Sequence, residues 1–134
     1  MTVAGYALLA FSLALSTASY AAPSGAYTPP VGSAERRAIF DATRRLGDNH
    51  TRVWVVRFLK VQNGWAWTSG DPQSPDGTQH YEPESALLHK VKGRWTVVDQ
   101  PCAEESCDDR SELVRIRKTH PAAPSAIFQG WTPR

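Results

Sequence analysis

Within residues 52–70, RVWVVRFLKVQNGWAWTSG, one dipeptide fixes much of what the chain can become: Asn63-Gly64. Asn-Gly is the pair best suited to the two positive φ angles of a type I′ turn, and it stands between two runs of β-branched and aromatic residues. A two-residue turn pairs Gln62 with Trp65, Val61 with Ala66, Lys60 with Trp67 and Leu59 with Thr68. Strict alternation then puts Trp54, Val56, Phe58, Lys60, Trp65 and Trp67 on one face. Val53, Val55, Arg57, Leu59, Val61, Ala66 and Thr68 fall on the other. Both faces are apolar near Val53–Leu59, which predicts a hairpin covered on both sides. A row of Trp rings can stack on ligands, but in a small domain such rings more often fill the core.

A helix is expected upstream, from Ser33 to Leu46. Ser33 offers an N-cap, Glu35 sits in the first turn, and Gly47 supplies the stop. Ala38, Ile39, Ala42, Thr43 and Leu46 recur at helical spacing, with Asp41 and Arg44 able to pair on the opposite side. This stripe must be buried, and the Trp65/Trp67 face is the surface expected to receive it. Downstream, Glu84–Val91 and Arg94–Asp99 flank Lys92-Gly93, a second hairpin whose register the sequence leaves open. Asp108–Lys118 reads as a short helix, with acids at its start and Arg115, Arg117 and Lys118 at its end. Ala126-Ile127-Phe128 and Trp131 are too apolar for a free tail and are expected to pack back.

Residues 1–21 have the form of an export signal: a short apolar run, Tyr6–Leu15, then small residues at Ser19 and Ala21. The run is short for a bilayer span, and cleavage is expected after Ala21. No Lys or Arg precedes it, so the amino terminus or residues upstream would supply the positive charge. The alternative is an uncleaved anchor from Val3 to Ala22, opposed by Ser12, Ser16, Thr17 and Ser19. After cleavage no stable membrane span is expected, and the protein is placed in the periplasm or outside the cell. Residues 22–32 form a Pro/Gly/Ser-rich lead-in, expected to be poorly ordered, and residues 33–134 form one domain.

Cys102 and Cys107 are the only two cysteines. In an exported chain they are expected to close a disulfide, and four intervening residues depart from the spacing of thiol oxidoreductases. With 15 basic and 13 acidic residues the charge is too balanced to indicate a nucleic-acid partner. No catalytic, cofactor-binding or metal-binding residues are assigned. The loop 71–83 resembles a calcium loop superficially, but its Gly, ligand and Glu positions do not coincide with the EF-hand pattern. His80, Glu82, Glu84 and His89 are close in sequence, yet Glu84 and His89 alternate to opposite strand faces and no metal-ligand spacing occurs. His50 and His120 read as surface residues. The basic pairs Arg36-Arg37 and Arg44-Arg45, with Arg115, Arg117 and Lys118, read as solvated helix faces.

The order of a helix, a hairpin ending in Trp65-Ala66-Trp67, and then Gly93-Arg94-Trp95 resembles cystatin-like and nuclear-transport-factor-like folds. The pattern of WAW, DG, YEPE, LL, GxW and paired cysteines also resembles small uncharacterised exported proteins of proteobacteria. The expected fold is thus α+β: one N-terminal helix on a curved antiparallel sheet of about four strands in two hairpins, with a short C-terminal helix stapled by the disulfide. Such folds carry both ligand-binding modules and enzymes. The expected function is a small exported binding or accessory domain contacting a protein or cell-envelope partner, a class that includes inhibitors and immunity partners. The alternative is a small cofactor-free hydrolase or isomerase with its site at the mouth of the sheet.

Overall fold

The structure, a computed structural model, describes residues 23–45 and 52–133 together with Met1. Helix α1 spans Ala34–Arg44. The hydroxyl of Ser33 accepts a hydrogen bond from the Arg36 N–H at 3.2 Å, satisfying one of the donors a helix start leaves open. Asp41 and Arg44 pair at 3.0 Å, as their spacing requires. Its buried residues are Ile39, Phe40, Ala42 and Thr43. Phe40 thus joins the stripe while Ala38 is exposed, a rotation that lets the Phe40 ring meet Trp54 at 6.3 Å. Leu46 and the expected Gly47 stop lie outside the described residues, as do the signal at 1–21 (Met1 apart) and His50.

Four strands follow: β1 (Val53–Gln62), β2 (Trp65–Gln73), β3 (Glu84–Val91) and β4 (Arg94–Asp99). They form one antiparallel sheet in sequence order. The first hairpin has the expected register, and Asn63 and Gly64 take φ of 50° and 75°. Lys92 and Gly93 take nearly the same values, 50° and 76°. Both tight turns are therefore of the primed kind, whose twist matches that of the strands they join.

The hairpin departs from simple alternation at Arg57. Val56 pairs with Gly70 and Phe58 with Ser69, so Arg57 is an extra residue, a β-bulge. One extra residue reverses the phase of everything before it. Trp54 and Val56 consequently share a face with Leu59 and Val61, while Phe58 joins Trp65 and Trp67 on the other.

Each face has its own core. Helix α1 covers the first, packing Ile39, Phe40 and Ala42 on Trp54, Leu59, Ala66, Leu88 and Trp95. The second face is covered by helix α2 (Asp109–Thr119) and the 3-10 helix Ser125–Phe128, which bring Ile116, Ile127 and Phe128 onto Trp65, Trp67 and Leu87. Both Trp rings are buried, Trp67 completely, but beneath the C-terminal elements and not beneath α1. The reason is the size of the two faces: Ala66 and Ala86 leave room for a helix backbone to approach, whereas two indoles need side chains that reach down from farther away. Val53 and Val55, ahead of the bulge, stay exposed beyond the reach of these C-terminal elements.

The lead-in is tied to the sheet. Tyr27 and Val61 exchange two backbone hydrogen bonds at 2.9 and 2.7 Å, and the Thr28 hydroxyl donates to the Leu59 carbonyl at 2.8 Å. The Tyr27 hydroxyl donates to Glu35 at 2.6 Å. Burial, together with that carboxylate, pushes its pKa up to about 12. Cys102 and Cys107 form a disulfide between β4 and α2, their Cα atoms 5.8 Å apart.

Candidate functional site

Sheet and C-terminal layer part company at one end of the second face. β4 runs alongside β3 only as far as Asp99, which pairs with Leu87. The chain then swings out through the disulfide loop into α2. The resulting cleft has a volume of about 990 Å³, at the upper end of the range for small-molecule sites. Its floor is Phe58, Ser69 and Ser85. Ser69 and Ser85 are directly opposite one another on β2 and β3. One wall is Gln100–Glu104 with Cys107, the other is Gly130–Pro133, and Arg52, Arg57 and residues 82–84 form the mouth.

Both walls are pinned. Asp108 caps α2 by accepting from the Ser111 N–H at 2.9 Å. Glu112, one turn on, accepts from the Cys102 N–H at 2.9 Å and thereby ties the disulfide loop to the helix. Arg115 grips both Asp99 carboxylate oxygens at 3.0 and 3.1 Å and the Gln100 carbonyl at 3.0 Å, fixing the point where the chain leaves β4. Burial alone would raise the Asp99 pKa, but hydrogen bonds from Arg115 and His120 outweigh it and hold the carboxyl below its ordinary value. Glu112 is likewise held down, by Arg115 and then by the Cys102 N–H. On the opposite wall the Lys60 ammonium donates to the Gln129 carbonyl at 2.8 Å, and Trp131 stands edge-on to Trp67 with centroids 5.3 Å apart.

The mouth carries charge of both signs. Arg57 pairs with Asp71, and the Arg52 guanidinium lies 3.7 Å from the Tyr81 ring centroid. Glu82, Glu84, Glu104 and Asp109 also line the cleft.

The remaining candidates are scattered. His80 is exposed beside Gln73, while Glu82 and Glu84 are at the mouth. His89 stacks on Trp65 at 4.0 Å, on the face opposite Glu84. Among the described residues no three His, Cys, Asp or Glu side chains are grouped to hold a metal ion. In the calcium-like loop, Asp76 accepts from the Thr78 N–H at 3.1 Å and the Thr78 hydroxyl at 2.9 Å, so it closes a turn. His120 is not the simple surface residue its sequence position suggests: its Nε2 lies 2.9 Å from Asp99, and its ring is 6.0 Å from that of Trp65.

Sequence reasoning singled out Glu82 and Glu84 but not Ser69, Ser85 or Trp131 as site residues. These come together only because the bulge at Arg57 and the early end of β4 open the sheet at one place. The chain matches no protein-family model, no curated protein and no solved structure.

Proposed function

We propose that this protein is a small exported binding domain and that the cleft between the sheet and the disulfide loop is where it takes its partner. The observation that carries the reading is the build of the cleft: an open cavity of about 990 Å³ whose two walls are each fixed to the body by named contacts. Pre-formed walls lower the ordering cost of binding. The apolar run and small-residue site at residues 6–21 support export, and the disulfide is compatible with an oxidising compartment. No helix among the described residues is long and apolar enough to cross a membrane.

The Asp99–His120 pair beside Trp65 is the feature that favours the enzyme alternative, since a carboxylate orients an imidazole there. It lies outside the cleft, however, and both oxygens of Asp99 are already engaged by Arg115.

Photo-crosslinking in the exporting cell tests the reading. A photoreactive residue at Glu82 or Trp131 should give an adduct that is missing when the same residue is placed at Val114 or Lys92. Equal labelling from all four positions, or none from the first two, would defeat it. Amino-terminal sequencing of the same material should begin at Ala22; recovery only of intact Met1 species would defeat export by cleavage.

A further inference from the structure

We infer that the cleft receives an extended, basic polypeptide segment of a partner protein, laid along the part of β3 that β4 leaves open; this rests on the binding reading above. The Lys90 N–H donates to the Gly64 carbonyl at 2.7 Å, so the even-numbered residues of β3 turn their backbone groups toward β2. In an antiparallel ladder the alternate residues turn theirs the other way. His89 and Leu87 therefore face β4, and so would Ser85. β4 has ended by then, because its last partner for β3 is Asp99 opposite Leu87.

Ser85 thus presents its N–H and C=O to the lane between β3 and residues 100–104. Its side chain lies on the cleft floor beside Ser69. A free strand edge inside a cleft is matched by another extended chain, whose main-chain groups repeat at the same spacing. The open stretch is short, residues 84–86, so the incoming chain is held to β3 at one residue, Ser85, and by its side chains elsewhere. Alternate side chains of that chain would point into the cleft, where Phe58 on the floor and Trp131 on the wall offer apolar surface.

The charge of the occupant follows from which groups are already engaged. Arg57 is paired with Asp71, and Arg52 lies over Tyr81. The carboxylates of Glu82 at the mouth and Glu104 on the loop wall have no hydrogen-bonding or ionic partner among the described residues, the Glu104 carbonyl alone accepting from the Cys107 N–H. Two carboxylates on different sides of the lane favour Lys or Arg on the incoming segment.

The test uses the exported protein labelled with 15N and two blocked peptides of about six residues, one alternating valine with lysine and one alternating valine with glutamate. The lysine peptide should shift the amides of Ser69, Ser85 and residues 102–107. Glu82→Gln with Glu104→Gln should weaken it roughly threefold to tenfold, the range for exposed ion pairs. Ser85→Pro removes the outward N–H without touching the β2 ladder and should abolish the Ser69 shift. Should Ser85→Pro not fold, the surface Gln variants still decide. Equal or tighter binding of the glutamate peptide overturns the inference while leaving the cleft a binding site. Lysine-peptide shifts confined to residues outside the cleft also overturn it. If neither peptide binds there and the crosslinks at Glu82 and Trp131 also fail, the binding reading falls with it.

Discussion

The indole of Trp54 lies directly against Gly70. A Cβ on that glycine would stand 2.6 Å from Cε3 of the ring and 3.0 Å from the Val55 carbonyl oxygen. The two residues are nearly opposite in the ladder, Trp54 facing Pro72 and Val56 facing Gly70, so neither backbone can retreat. Gly70→Ala should cost about 1–3 kcal/mol, the usual range for overpacking a core. Trp54→Leu should lose stability by itself yet relieve the clash, so that the double variant is less damaged than the sum. Urea unfolding of the two single variants and the double measures that coupling; strict additivity would mean that the contact does not set the residue at position 70.

Trp67 is the better-buried of the two central indoles, sealed by Phe128 and by the edge of Trp131. Trp67→Ala should destabilise by about 3–5 kcal/mol. Trp65→Ala should be damaging as well, and it should also free His89 from its stacking partner. Chemical denaturation checks both. Values within about 0.5 kcal/mol of the parent would mean that neither ring belongs to the core.

The disulfide closes a short ring, and loop entropy for such a ring is worth about 2 kcal/mol. Because Glu112 still holds the Cys102 N–H, the loop should remain attached to α2 when both cysteines become serine. The Cys102→Ser/Cys107→Ser protein should therefore fold, with its stability lowered by about 2 kcal/mol and its midpoint lowered accordingly. Thermal unfolding with and without reductant gives the comparison: reductant should shift the parent and leave the double variant unmoved.

Acid should weaken the C-terminal layer first. Asp99, Asp108 and Glu112 all have folded-state pKa values below their ordinary ones. The unfolded chain then binds more protons, so the stability from these groups is present above about pH 4–5 and is lost as pH falls through the carboxylate range. At the other extreme Tyr27, with its pKa raised to about 12, contributes while it is neutral and loses that contribution as pH climbs from 10 toward 12. A stability profile from pH 2 to 7 on the parent and on Asp99→Asn should show a shallower acid limb in the variant; parallel limbs would exclude Asp99 as a titrating contributor.

The two turns were legible because Asn63-Gly64 and Lys92-Gly93 each carry positive φ at both positions, a demand that only a few dipeptides meet. From such a turn, alternation can be counted outward with confidence for only a few pairs. It failed at Arg57 because a bulge has no residue signature as strong as that of a turn, and after it every assigned face was reversed. The expectation of α1 over Trp65 and Trp67 had a different basis: it is the only long amphipathic helix in the sequence, and its small residues Ala38 and Ala42 leave room for large rings. The cleft was illegible for a different reason: Phe58, Ser69, Ser85, Cys102 and Trp131 are widely separated in sequence and include neither a spacing motif nor a concentration of charge.

The bulge also sets a rule of parity for β1. If any ordinary residue of the strand is removed, the side chains on one side of the gap are turned over, exchanging Trp54 for Val55 or Leu59 for Phe58 in the cores. Arg57 alone is exempt. Without it Val56 and Phe58 become neighbours, facing Gly70 and Ser69, which are themselves neighbours, and every indole and aliphatic chain keeps its side. Lineages of such a domain can therefore gain or shed a residue at this point without inverting the strand, and a length difference of one in β1 should fall there.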